Sequence, residues 1–101
     1  MKRYRIRLTN EAELDLAHIY RFVRKNSASS ITAREYVARI KRFVDGFETY
    51  PERGSIRDDV RPGLRIVGFE RRVSVAFVVE PTEVVILRIL YAGQRLESDE
   101  S

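Results

Sequence analysis

Sixteen arginines and a single histidine set the limits on the chemistry open to this chain. His18 follows Asp15 by three residues, a spacing that puts the two on one side of a helix. One imidazole among scattered carboxylates makes a poor metal site, and the absence of cysteine excludes thiolate ligands and disulfides alike. The pair reads as a surface or helix-packing contact, and no metal or other cofactor is expected. Asp58 and Asp59 are neighbours in a loop, point in different directions and read as solvated. No Gly-x-Ser-x-Gly elbow, phosphate loop or dinucleotide fingerprint is present. A Ser-His-Asp hydrolase would have to recruit His18 from a structural helix, so that chemistry is rejected. What remains is a set of arginines, Arg65, Arg71, Arg72, Arg88 and Arg95, with Tyr91 among them. The guanidinium fork suits carboxylates and phosphates, which points to nucleic acid or an acidic protein segment as partner. A bias toward arginine codons accounts for the count equally well.

Arg88 stands out because it interrupts the apolar run Val84-Val85-Ile86-Leu87-Arg88-Ile89-Leu90. A charged group in the middle of a central strand needs a carboxylate or a route to water. Glu70 and Glu80 are the candidate partners. The alternative is that the sheet face carrying Arg88 is open and serves as a binding surface for a partner with aliphatic side chains and carboxylates.

The elements that must position these residues follow from periodicity. Tyr4 to Leu8 alternates polar and apolar, the pattern of a half-buried strand. Thr9 or Asn10 caps a first helix, and Asn10 with Glu13 resembles a capping box. Ala12, Leu16, Ile19 and Val23 form its apolar face, and the Asn26-Ser27-Ala28-Ser29-Ser30 stretch ends it. Ala33, Val37, Ile40, Val44 and Phe47 mark a second helix, with Tyr36, Phe43 and Tyr50 on an adjacent line. Glu35 and Arg39 form an i,i+4 pair on its outer side. So short a linker predicts an antiparallel helical hairpin. Prolines and glycines make residues 51–63 a loop. Three strands follow, at about 64–69, 73–79 and 84–90, joined by connections short enough for a meander. The expected fold is α+β in the order β-α-α-β-β-β, an N-terminal strand and helical hairpin packed on a mainly antiparallel sheet.

At 101 residues, with 44% hydrophobic content, the chain has core enough for one domain and too little for two. That domain is expected over residues 1–95, with a short acidic tail at 96–101. The tail holds three acids and no base, which leaves the body with 19 bases against 12 acids, a net +7. The basic start has no apolar stretch behind it, and the longest apolar run, Val75-Ala76-Phe77-Val78-Val79, is far short of a membrane span. A cytoplasmic protein without a membrane partner is expected.

The pattern resembles the ParE/RelE superfamily of bacterial toxins, and its ParE branch in particular. The resemblance covers nearly the whole chain. It rests on Asp15-Leu16 followed by Ile19-Tyr20, on Ala33 and Tyr36, and on Phe47 leading into Pro51-x-x-Gly54. Pro62-Gly63-Leu64-Arg65 comes next, then the apolar run at Val75, then Ile86-Leu87-Arg88-Ile89-Leu90 ending in Gly93-Gln94-Arg95. Each piece is weak alone; order and spacing together are specific.

The resemblance implies a type II toxin–antitoxin toxin that poisons DNA gyrase and is neutralised by a cognate ParD-like antitoxin. The antitoxin's C-terminal segment would fold onto the toxin in a hetero-oligomer. RelE-like members instead cut ribosome-bound mRNA without metal, using basic and aromatic side chains. This chain leans away from them. Ser74 stands where they tend to carry arginine, and after Arg95 there is neither tyrosine nor histidine. Tyr91 stands where many ParE-like proteins have histidine. The implied catalytic set is therefore empty; on the ribonuclease alternative it would be Arg65, Tyr91 and Arg95. Target contact is expected at Arg65, Arg72, Arg88, Tyr91 and Arg95. Antitoxin contact is expected at Tyr20, Tyr36, Phe43 and Tyr50. A third alternative is a non-toxic relic that still binds antitoxin.

Overall fold

The computed structural model describes residues 2–91. Strand β1 (Arg5–Leu8) is followed by helices α1 (Asn10–Ser27) and α2 (Ser30–Asp45) and a single 3-10 turn, Gly46–Glu48. Strands β2 (Ser55–Ile56), β3 (Arg65–Phe69), β4 (Val73–Val79) and β5 (Glu83–Tyr91) complete the chain. The sheet runs β1-β5-β4-β3-β2. Strands β2 to β5 pair antiparallel, and β1 lies parallel to β5 with Ile6 opposite Val84. The α+β order expected from the sequence holds, with one addition. The expected loop at 51–63 contains β2, two residues whose pairing to Ile66 and Arg65 no period-two pattern could announce.

The helices start and stop for local reasons. Thr9 caps α1, its hydroxyl accepting from the Ala12 N–H at 3.1 Å, so Thr9 rather than Asn10 is the cap. Ser29 caps α2 in the same way through the Thr32 N–H. Between them Ala28 takes a left-handed conformation, φ 58°, and returns its N–H to the Arg24 carbonyl. A two-residue link of this kind forces the hairpin.

The apolar face of that hairpin closes the main core. Ala12, Leu16 and Ile19 of α1, with Ile40, Val44 and Phe47, pack on Val73, Val75 and Phe77 of β4 and Val84, Ile86 and Ile89 of β5. The opposite sheet face is not bare. Ala76, Val78 and Val85 are buried there with Leu64, and Val60 from the loop before β3 packs against them. The expectation of a sheet face left open is corrected at its centre, because apolar side chains on two-faced strands draw the loop over them.

Candidate functional site

The centre of the molecule is organised by a break in β5. Ala76 faces Arg88 and Phe77 faces Ile86, so Leu87 is an extra residue, a β-bulge. At the same level β1 ends. The Thr9 N–H bonds the Ile86 carbonyl and its hydroxyl donates to the Leu87 carbonyl at 2.9 Å, after which the chain turns into α1. Among the described residues no strand lies beside the edge of β5 beyond that point, and Asp15 takes the place of one. Its carboxylate accepts from the Ile89 N–H at 2.8 Å and from Arg88 through Nε at 2.8 Å and Nη2 at 3.0 Å. Asp15 is 6% exposed. The bidentate bond to Asp15 raises the Arg88 pKa further, against the opposing effect of burial.

Arg88 is therefore paired, though with neither Glu70 nor Glu80. Asp15, 73 residues away, is the partner, and exposed His18 takes no part. Glu70 instead holds Arg39 in a second fork, at 2.9 and 3.0 Å, which replaces the expected Glu35–Arg39 pair. In the loop, Asp59 binds Arg57 and Asp58 accepts the Gly63 N–H, so both shape the turn.

The structure distributes the expected target residues over several places. Arg65 lies opposite Phe77, on the helix side of the sheet, and donates to the Arg53 carbonyl at 3.3 Å. Arg88 lies opposite Ala76. Arg72 is exposed in the β3–β4 connection, and Tyr91 faces Val73, the next residue, so these two come together. Arg95 lies outside the described residues, as does the acidic tail.

The expected antitoxin residues also divide. Phe43 is stacked on Phe69 at 4.7 Å and edge-on to Phe47, so it completes the core. Tyr20 is half-buried, and Tyr50 is 66% exposed. Tyr36 makes an edge contact with Tyr91 at 5.9 Å, and Tyr91 makes another with Phe22 at 5.3 Å. Burial, ahead of the neighbouring Tyr91 and Glu70, raises the Tyr36 pKa, so its phenol stays protonated. A pocket of 260 Å³ opens between Val23, Thr32, Tyr36, Glu70, Arg72 and Tyr91.

Arg53 is a structural residue that sequence reasoning passed over. Its guanidinium lies over the rings of Phe47, Tyr50 and Phe43 at 5.1, 5.5 and 5.6 Å and donates to the Tyr50 carbonyl at 2.7 Å. The neighbouring Gly54 was the available signal. At φ +72° a Cβ there would stand 2.2 Å from the Ile66 carbonyl oxygen.

A two-helix hairpin on a five-stranded mixed sheet, with Arg72, Tyr36 and Tyr91 gathered at the β3–β4 end, defines a small α+β domain. Residues 6–96 match the family model described as ParE toxin of type II toxin-antitoxin system, parDE. The chain belongs to the ParE toxin family. A solved chain of the chromosomal ParDE TA system from P. aeruginosa is similar at 28% identity and a TM-score of 0.75, covering 88% of this chain and 96% of that one. No curated protein matches the sequence. Among the described residues no helix is long and apolar enough to cross a membrane.

Proposed function

We propose that this chain poisons DNA gyrase and is silenced by a ParD-like antitoxin whose C-terminal segment folds onto it. Membership of the ParE family supports the reading, and one observation on the surface carries it. Arg71 and Arg72 project at the β3–β4 connection with no carboxylate bound to either among the described residues, whereas Arg7, Arg39, Arg57 and Arg88 are each paired. Cations left without partners are available to an acidic protein surface or to the DNA that gyrase holds. Arg72 and Tyr91 form the centre of this contact, with Arg65 and Arg95 as outlying members. Arg88 keeps 35% of its side chain exposed and joins through that part.

The cleavage reading is the weaker one on chemistry. A metal-free ribonuclease needs a group that moves a proton near neutral pH, and free tyrosine and arginine side chains, the residue types of the Arg65, Tyr91 and Arg95 set, lose theirs only at about 10 or above. Purified chain added to gyrase in a supercoiling assay is expected to inhibit at near-stoichiometric ratios and to accumulate cleaved DNA. Folded protein that leaves supercoiling untouched at every ratio overturns the reading. For the antitoxin, Tyr50 is the informative position, because it is exposed where Phe43 is held in the core. Tyr50→Asp is expected to weaken antitoxin binding without unfolding the toxin.

A further inference from the structure

The β3–β4 connection takes a shape that its own residues disfavour. Phe69 pairs with Val73, so Glu70, Arg71 and Arg72 reverse the chain between them. Glu70 and Arg71 both lie in the left-handed region, at φ 50° and 66°. Two successive left-handed residues are the demand that Asn-Gly or Gly-Gly meets at the tip of a hairpin. A glutamate followed by an arginine has neither glycine's freedom nor asparagine's local hydrogen bonds. The bond from the Arg72 N–H to the Glu70 carbonyl belongs to the turn itself and forms only once the turn is closed. Contacts from outside the turn must help to hold it.

One such contact is a fork. The Glu70 carboxylate accepts from Arg39 Nε at 2.9 Å and from Nη2 at 3.0 Å. Arg39 belongs to α2, 31 residues earlier in the chain, and its guanidinium lies 5.2 Å from the centre of the Tyr36 ring. Tyr36 in turn meets Tyr91 of β5 edge-on. The turn is thus tied to a helix by a planar, two-point bond, which fixes direction as well as distance. The same bond occupies the carboxylate that adjoins Arg71 in the chain. Neither Arg71 nor Arg72 is held by a carboxylate among the described residues.

We propose that Arg39 is a positioning residue for target contact: through Glu70 it holds the β3–β4 turn in its left-handed shape and keeps that carboxylate off Arg71 and Arg72. The proposal rests on the reading that these two arginines grip gyrase. Without Arg39 the turn samples the shapes its residues favour, and the two guanidinium groups point elsewhere. The freed carboxylate then competes with the target for them.

The double variant Arg39→Gln with Glu70→Gln breaks the fork at unchanged net charge, which separates position from charge. Its gyrase inhibition is expected to fall about threefold while the protein stays folded at the assay temperature. Arg39→Gln alone, which also leaves the carboxylate free, is expected to lose at least about fivefold. Arg34→Gln removes the same charge from an exposed site on α2 and is expected to stay within about twofold of the native chain. Positive φ brings the amide proton close to its own Hα. The strong NOE between them at Glu70 and Arg71 is therefore expected to weaken in Arg39→Gln, with the amides of β4 and β5 unmoved. Full inhibition by the charge-matched double variant, or an unchanged NOE in Arg39→Gln, overturns the proposal. A native chain that leaves gyrase untouched overturns the gyrase reading, and the proposal then stands or falls on the turn NOEs alone.

Discussion

At the residue scale the molecule depends on one carboxylate. Asp15 satisfies the Ile89 N–H that the end of β1 leaves without a strand neighbour, and it neutralises Arg88 at a bulge. Asp15→Ala removes both acceptors at once, and the cost of stranding a partly buried cation and a buried amide is about 2–4 kcal/mol. Urea unfolding is expected to show that loss with an unchanged slope. Asp15→Asn retains one acceptor oxygen and is expected to cost about half as much. Gly54 is the second point of dependence. With Ile66 backbone 2.2 Å from a would-be Cβ and φ at +72°, Gly54→Ala is expected to cost about 3 kcal/mol, because neither backbone can retreat. Of these two positions only Gly54 announced itself in the sequence, as a glycine in a turn-rich stretch. The Asp15–Arg88 bond was hidden because its partners are joined through a bulge that shifts register, and periodicity carries no signal for that.

One turn and two ion pairs set the elements against one another. Glu70 and Arg71 both take positive φ, 50° and 66°, and the Arg72 N–H returns to the Glu70 carbonyl at 2.7 Å. Side chains at such angles are strained, so Arg71→Gly is expected to stabilise the fold by about 0.5–1 kcal/mol in thermal unfolding. That natural residues other than glycine stand there fits a turn kept for what its side chains bind. Glu70 holds Arg39 of α2, and Glu83 of β5 holds Arg7 of β1. The hydrogen bond to arginine lowers the pKa of each glutamate below the ordinary 4.5. A lowered carboxylate pKa adds stability that is present above 4.5 and lost as pH falls through the folded value. Stability is therefore expected to be flat from neutral pH down to about 5 and to fall below it. Arg39→Gln is expected to shrink that fall when unfolding is followed across the acid range. Both helices and the last three strands were legible in advance, since their periods of 3.6 and 2 run over enough residues to be distinctive. Strand β2 was not, because two residues have no period.

Over the whole molecule, both faces of the sheet are covered by the chain itself. The helical hairpin and the loop packing through Val60 cover the two sheet faces, and Arg71 and Arg72 project at the β3–β4 end. The arginine content visible in the sequence did not reveal this arrangement. Arg65 and Arg88 face opposite sides of the sheet, and Arg71 and Arg72 are two adjacent exposed arginines that no carboxylate holds among the described residues. A grip based on that end has a definite signature. Arg71→Glu with Arg72→Glu reverses two charges, a net change of four units, without breaking an ion pair among the described residues, so the thermal midpoint is expected to move little. Gyrase inhibition is expected to drop by at least about tenfold, and the residual inhibition of the native chain to weaken as salt rises, because exposed cations act through a field that salt screens. Equal inhibition by the doubly reversed variant in low salt would show that the target is held elsewhere on the chain. The comparison is clean only at these two positions, since altering Arg88 also exposes Asp15 and mixes loss of grip with loss of fold.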